Sequence, residues 1–167
     1  ESFKEQRSLY DVICDWLHRT PIQGSVPDSS SDDETVSNFV DSFIQNHNSL
    51  SPDSNSEAQQ FLKPDGKIHR GRSGLLFIES YRELPLLAWP RKLISTLIEL
   101  EEAMVLWRSS HARMVERVIG RRIGTGGSSG VDYLDMTAKY RVFVDLWSVR
   151  SILIKKSALP ELQNPEF

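Results

Sequence analysis

The feature that most constrains this chain is an apolar stripe that repeats at helical spacing from about residue 91 to residue 119. Its members follow one another at steps of three or four residues, and they are Leu93, Leu97, Leu100, Met104, Trp107, His111, Val115 and Val118. This spacing predicts one long amphipathic helix, because residues three and four apart share a helix face. Pro90 suits its first turn, and Gly120 can end it in the left-handed conformation. A histidine therefore lies within the stripe.

The remaining patterns predict an all-α fold. Helical spacing recurs over residues 9–17, 36–44 and about 132–153, and no stretch alternates as a strand would. The Ser/Asp-rich residues 23–34 and the polar residues 46–60 contain no apolar period, and we therefore expect both to be solvated loops.

Two regions follow from this patterning. Residues 1–70 combine an N-terminal helix, Ser/Asp-rich loops and a short amphipathic helix, whereas residues 71–167 contain the long helix and a glycine-rich segment after it. Ser73 is predicted to cap a helix at the start of the second region.

Composition excludes several classes of protein. The chain has 167 residues and a net charge of −3, which favours one ordinary globular domain. Apolar runs such as residues 75–78 are too short to cross a bilayer, and no basic cluster is large enough to favour a nucleic-acid partner. Cys14 is the only cysteine, which excludes an internal disulfide and a cysteine-based zinc site. Without a leader pattern, we expect a cytoplasmic protein.

His111 is the first candidate for chemistry. Trp107 and Val115 lie one turn before and after it, so apolar surface would frame the imidazole. The residues three and four positions later are Met114 and Val115, so no second ligand follows on that face. Zinc, which needs several protein ligands, is therefore disfavoured against an iron whose other ligands come from a macrocycle. The alternative is a hydrogen-bonded core histidine.

The second candidate is the glycine-rich segment of residues 124–130. It does not end in Gly-Lys-Ser/Thr, which excludes a P-loop. Thr125 can both donate and accept a hydrogen bond, which suits the ammonium and carboxylate of an amino acid better than a phosphate. The alternative is a flexible linker.

Together these segments resemble the C-terminal half of tryptophan 2,3-dioxygenases. The resemblance rests on W-R-x-x-H-x-x-M-V-x-R-x-x-G at residues 107–120 and on G-T-G-G-S-S-G-x-x-Y-L at residues 124–134. It extends upstream to residues 81–85 and downstream through residues 140–146. It implies a helical bundle of the tryptophan/indoleamine 2,3-dioxygenase type, of which this chain would be only the C-terminal part.

The resemblance also implies an activity and a cofactor. The family cleaves the indole C2–C3 bond of L-tryptophan with O₂ on haem b, giving N-formylkynurenine in the kynurenine pathway. His111 would be the proximal ligand of the haem iron. Trp107 and Val115 would pack near the proximal face, and Gly126 would line the haem. The family's tetramers imply a homo-oligomer.

The resemblance places the substrate at the glycine-rich segment, where Thr125 and Gly124 would contact it. The family's other half supplies a distal Phe-x-x-x-His segment and an arginine that binds the substrate carboxylate. Neither is found here, and Arg70, Arg72 and Arg82 lie in other contexts. A missing N-terminal half or a companion chain would then complete the enzyme.

Two alternatives stay open at this point. One is a haem-dependent oxygenase of a substituted tryptophan or another indole in secondary metabolism. The other is a non-catalytic haem-binding half-protein. Solvated surface is the interpretation for the remaining histidines, which are His18, His47 and His69. The same holds for an acidic face on the long helix, made of Glu99, Glu101 and Glu102.

Overall fold

The structure is a computed structural model, and it describes residues 7–51, 55–121 and 130–163. Within those ranges it contains seven α-helices and no strand, which confirms the prediction of an all-α fold. The helices are α1 (Leu9–His18), α2 (Asp32–Leu50), α3 (Asn55–Phe61), α4 (Gly66–Ser80), α5 (Ala88–Ile119), α6 (Gly130–Ala138) and α7 (Val144–Ser151). Single turns of 3₁₀ helix lie at Ile22–Gly24, Pro85–Leu87 and Lys156–Ala158. No helix in the described ranges combines the length and the apolar character that crossing a membrane requires.

The chain forms two compact units. The first contains the described residues up to Ile94 together with those from Asp145 onwards, and the second contains those from Ser95 to Val144. Helix α5 begins in the first unit and continues in the second. The division of the sequence at residue 70 stays a prediction about its patterning.

In the first unit, α1 and α4 approach closely because α4 presents two glycines. A capping box starts α1, in which the Asp11 backbone N–H donates to Ser8 Oγ (3.1 Å) and the Ser8 N–H donates to the Asp11 carboxylate (3.2 Å). A Cβ on Gly71 would lie 3.1 Å from the Cys14 carbonyl oxygen, and one on Gly74 would lie 2.4 Å from the Leu17 carbonyl oxygen. Only glycine at position 74 permits this approach.

Aromatic side chains fill the centre of this unit. The Phe39 ring meets the Phe77 ring edge-on, with 5.6 Å between ring centroids, and Phe77 lies 4.8 Å from Tyr81. Phe39, Phe77 and Tyr81 are at most 9% exposed, so the cluster is buried. The Tyr81 hydroxyl donates to the Pro160 carbonyl oxygen (2.5 Å), which fastens the C-terminal segment to α4. Burial raises the pKa of Tyr81 to about 12, so it stays a donor.

A buried ion pair corrects the prediction of a solvated loop over residues 23–34 at its C-terminal end, whereas residues 25–31 are non-helical and none of them is buried. Helix α2 begins at Asp32, which is 3% exposed and accepts hydrogen bonds from Arg70 Nε (3.0 Å) and Nη2 (3.1 Å). Arg70 Nη2 also donates to the Thr20 carbonyl oxygen, and the Ser25 hydroxyl donates to Asp32. Burial favours protonation of Asp32, but its bonds to Arg70 and Ser25 prevail and lower its pKa.

Other polar residues are also more ordered than the sequence predicts. Helix α2 continues to Leu50 and α3 starts at Asn55, so most of the predicted polar loop over residues 46–60 is helical. His47 is buried against Phe43, so the prediction of a surface residue is wrong there. Ser73 does not cap a helix, because α4 already begins at Gly66 and the Ser73 hydroxyl donates to the His69 carbonyl oxygen (2.9 Å).

In the second unit, α5 runs antiparallel to residues 130–143. Glu101 is 2% exposed, and its carboxylate accepts the backbone N–H groups of Val142 and Phe143. The Glu101 carboxylate is therefore buried, and the prediction that it is solvated is wrong. Further along, Arg108 donates to the Tyr140 carbonyl oxygen (3.0 Å). The bonds to Glu101 also divide the predicted C-terminal helix into α6 and α7, because they take two N–H groups that a continuous helix would use.

We predict that a methyl group at position 74 separates α1 from α4. Gly74→Ala should lower the free energy of unfolding by about 1–3 kcal/mol, because the clash with the Leu17 backbone outweighs the higher helix propensity of alanine. Urea denaturation measures the difference. The control is Gly130→Ala, since a Cβ there meets nothing within 4 Å. Equal stability of the two variants would contradict the close approach.

We also predict a pH-dependent role for Asp32. Asp32→Asn should cost about 3–5 kcal/mol at pH 7, because it leaves the Arg70 charge buried and unpaired. The folded-state pKa of Asp32 lies below its unfolded value of about 3.9, so its contribution is complete above that pH and is lost as pH falls through the folded pKa. The gap between variant and wild type should therefore narrow in acid. Exposed Asp33→Asn is the control, and a gap independent of pH would contradict the assignment.

Candidate functional site

His111 lies in the second half of α5, with its imidazole stacked on an indole. The rings of Trp107 and His111 are nearly parallel (5° between planes), with 5.4 Å between their centroids. This geometry follows from their spacing, since side chains four residues apart lie above one another on a helix. Val115 continues the same face one turn later and is half-buried, as His111 is. The structure thus brings His111, Trp107 and Val115 together, as the sequence predicts.

The face that carries His111 is open rather than packed. Trp107 is 66% exposed, Met114 55% and Val118 77%, whereas Ala112, next to His111 in sequence, is fully buried. Helix α5 therefore packs inward through the neighbouring stripe of Ile98, Glu101 and Ala112. Exposed apolar side chains in a continuous strip mark a surface that another group covers.

The donor set around His111 fits an iron porphyrin better than a metal ion held by protein alone. Among the described residues, no three or more His, Cys, Asp or Glu side chains gather where they could hold a metal. A metal bound to His111 would therefore take its other ligands from elsewhere. A flat, largely apolar macrocycle lying on the open face could supply them, and the stacked Trp107 ring restricts how the imidazole can turn.

The predicted substrate residues belong to the glycine-rich segment. Gly124, Thr125 and Gly126 lie outside the described residues, so their roles stay predictions. The ends of the segment are described. Gly120 ends α5 with φ +65°, as predicted, and its N–H donates to the Glu116 carbonyl oxygen (2.9 Å). Gly130 is the first residue of α6.

Five charged side chains connect the two ends of this segment. Arg121 donates from Nε to Glu116 (2.9 Å) and from Nη1 to Asp132 (3.2 Å). Arg113 donates to Glu116 (2.7 Å) and to Asp135 (2.9 Å). We call Arg113, Glu116, Arg121, Asp132 and Asp135 the loop brace. Helical periodicity does not predict these ion pairs, although opposite charges flank the glycine-rich segment in the sequence.

Two arginines of the first unit are already engaged elsewhere. Arg70 holds the buried Asp32. Arg72 donates to both oxygens of Asp145 (3.1 and 3.0 Å), and Asp145 also accepts the Tyr10 hydroxyl (2.8 Å). Both arginines thus hold aspartates of the first unit.

The first unit also contains a cleft of about 760 Å³ between the end of α4 and the C-terminal segment. Tyr81, Arg82 and Lys156 are among the residues that line it. Of the residues predicted to bind the cofactor, the described ones, which are His111, Trp107 and Val115, do not line it.

Comparison with known proteins supports the resemblance found in the sequence. The family model described as tryptophan 2,3-dioxygenase matches residues 3–153. A tryptophan 2,3-dioxygenase of Sorangium cellulosum is 42% identical over an alignment that covers 94% of this chain and 45% of the relative. A tryptophan 2,3-dioxygenase-like protein of Xanthomonas campestris is 66% identical over 94 residues, which are 56% of this chain and 35% of the relative.

A more distant tryptophan 2,3-dioxygenase, from Dictyostelium discoideum, is 30% identical over 97% of this chain and 48% of its own length. The chain thus spans less than half the length of these three relatives. The family model nevertheless covers most of the chain, including α5 and the glycine-rich segment. On this match, together with the relatives, the chain belongs to the tryptophan 2,3-dioxygenase family.

Proposed function

We propose that this chain is the haem-ligating part of a dioxygenase that cleaves the indole C2–C3 bond of L-tryptophan with O₂, giving N-formylkynurenine. The observation that carries the proposal is His111 on an open apolar face of α5, within a chain of this family. A histidine that only served the core would be expected on the buried stripe, one residue further round the helix.

In this proposal His111 holds the haem iron on the proximal side. Trp107 stacks on the imidazole and limits its rotation. By the family resemblance, Val115 and Gly126 would lie beside the macrocycle. Haem b supplies the oxygen chemistry when bound. The protein contributes the ligand, the orientation of the substrate and the exclusion of water.

Substrate orientation is assigned to the glycine-rich segment. By the family resemblance, Thr125 would hydrogen-bond the ammonium and carboxylate of L-tryptophan through its hydroxyl, and Gly124 would also contact the substrate. The support for these two roles is the family resemblance of residues 124–134.

The open face of α5 and the length of the relatives support a further element of the proposal. Another polypeptide segment, either the N-terminal half found in the family or a companion chain, covers this face and brings the distal residues and a carboxylate-binding arginine. We propose a homo-oligomer, a tetramer by family resemblance. The cytoplasmic location stays a prediction.

The mass of the product tests the reaction type. Ring-opening dioxygenation adds two oxygen atoms to L-tryptophan, whereas an oxygenase that leaves the indole ring closed adds one. Haem binding without any product would instead favour the non-catalytic half-protein. Labelled O₂ with mass spectrometry of the product separates these three outcomes.

We predict that His111→Ala abolishes the five-coordinate ferrous haem spectrum and all oxygenase activity while far-UV circular dichroism stays near wild type. The helix survives because alanine has the higher helix propensity and because Ala112 and Ile98 still anchor α5. Added imidazole should restore part of the spectrum as an untethered ligand.

His18→Ala is the matched control for this experiment. His18 contacts Asp28 in the first unit and has no assigned role at the cofactor, so haem content should not change. If folded His111→Ala retained stoichiometric haem with an unaltered ferrous spectrum, the ligand assignment and the proposed function would both fail.

We predict that Thr125→Ala weakens binding of L-tryptophan about ten- to a hundredfold, since a hydrogen bond to a charged group contributes about 1.5–3 kcal/mol. Haem content should stay unchanged. Thr125→Ser keeps the hydroxyl and should recover most of the affinity. Binding of 3-methylindole, which lacks the ammonium and carboxylate, should not change, and equal losses for both ligands would show that Thr125 does not contact the amino-acid groups.

A further inference from the structure

The cleft between the end of α4 and the C-terminal segment contains polar groups that the fold leaves without partners. Glu79 lines the cleft and is 7% exposed, yet no hydrogen bond or ion pair is found for its carboxylate in the described part of the chain. Ser80 also lines it, and its hydroxyl oxygen is buried without a hydrogen-bond partner among the described residues. Buried polar groups are costly unless a partner satisfies them. These two groups therefore mark a place where a ligand can provide a hydrogen-bond donor.

The charges around the cleft favour a cation. Its other ionisable lining residues are Arg82, Glu83, Lys156 and Glu161. Lys156 and Glu83 pair with each other, which leaves the carboxylates of Glu79 and Glu161 against the Arg82 guanidinium. The cleft also lies at the C-terminal end of α4, which is the negative end of the helix dipole.

The lining residues suit an organic cation better than a metal ion. No three or more His, Cys, Asp or Glu side chains gather to hold a metal anywhere in the described ranges. Aliphatic side chains form most of the remaining walls, and they are Leu84, Leu153, Ile154, Leu159 and Leu162. A cleft of about 760 Å³ with such walls and a few polar groups has the size and character of a small-molecule site.

Hydrogen bonds from the body of the first unit hold the C-terminal wall of this cleft in place. Tyr81 donates to the Pro160 carbonyl oxygen, as described above. The Asn46 amide donates to the carbonyl oxygen of residue 158 (2.8 Å), and the Gln23 amide donates to that of Glu161 (3.1 Å). Because this wall is already fixed, a ligand loses little affinity to ordering it.

We propose that this cleft binds the ammonium group of a primary amine that carries an apolar body. The ammonium donates to the Glu79 carboxylate and to the Ser80 hydroxyl oxygen, and the apolar body lies against the aliphatic walls. An ammonium has three N–H donors, so a third is free for a carbonyl group at the end of α4. The inference does not depend on the proposed function, in which none of the lining residues has a role.

Calorimetry with n-hexylamine tests the site in the whole chain, with carbon monoxide present to occupy any ferrous haem iron. The amine is protonated at pH 7, as a lysine side chain is. It should bind with a Kd of about 0.1–1 mM, which a ligand of about seven non-hydrogen atoms can reach. Hexanoate and 1-hexanol have the same apolar chain and should bind about tenfold more weakly or less, since neither offers a charged donor. If hexanoate binds as tightly as n-hexylamine, the cleft has no preference for a cation and the proposal is wrong.

Substitutions then assign the binding to the two unpartnered groups. Glu79→Gln should raise the Kd for n-hexylamine about tenfold or more, and Ser80→Ala about three- to tenfold, because each removes an acceptor for a charged donor. Glu99→Gln is the matched control, since it removes the same charge from an exposed position that does not line the cleft, and the Kd should not change. An unchanged Kd in Glu79→Gln would overturn the assignment.

Urea denaturation distinguishes a lost site from a damaged fold. An unpartnered buried carboxylate disfavours folding, so Glu79→Gln without ligand should unfold at the same urea concentration as wild type or at a higher one. Saturating n-hexylamine should raise the midpoint of wild type and leave that of Glu79→Gln unchanged, because a ligand stabilises only the fold that binds it. If Glu79→Gln is less stable than wild type without ligand, the carboxylate serves the fold and the proposal fails.

Discussion

Burial of one side of α5 determines what the rest of that helix can do. Ile98, Glu101 and Ala112 face inward, and Glu101 is held there by two backbone N–H groups of residues 142 and 143. A carboxylate at 2% exposure would be costly without such partners, so its bonds set the register between α5 and the chain that returns alongside it. Because that side is packed, His111 and Trp107 lie on the open side of α5. The stripe that contains them is therefore an exposed apolar surface that another group can cover.

The helices were predictable because their apolar periods are long and regular. The family could be recognised at residues 107–134 for a different reason. A histidine, a glycine that ends the helix and a glycine-rich segment in this fixed order form a combination that rarely arises by chance. Patterning could not tell which of two adjacent stripes on α5 packs inward, because both contain apolar residues. That choice depends on partners far along the chain, such as Phe143.

The wrong predictions of solvated residues share one physical cause. The sequence does not show whether a charged or polar residue has a buried partner in the fold. Asp32 sits in a Ser/Asp-rich stretch, yet Arg70, 38 positions away, encloses it in a buried pair. Glu101 lies between the exposed Glu99 and Glu102, yet it is buried and accepts two backbone N–H groups. Pairings of this kind depend on three-dimensional proximity, which helical periodicity does not encode.

The link between Tyr10, Arg72 and Asp145 has a consequence for the order in which the chain folds. Residues 10 and 72 are synthesised well before their common partner, and all of the second unit lies between them and it. The second unit is contiguous, so its contacts can form as soon as α6 and residues 139–144 leave the ribosome. The first unit must close its core across that insertion, and long-range closure of this kind slows folding. Until Asp145 has been synthesised, Arg72 lacks its aspartate partner, and the first unit cannot complete its contacts.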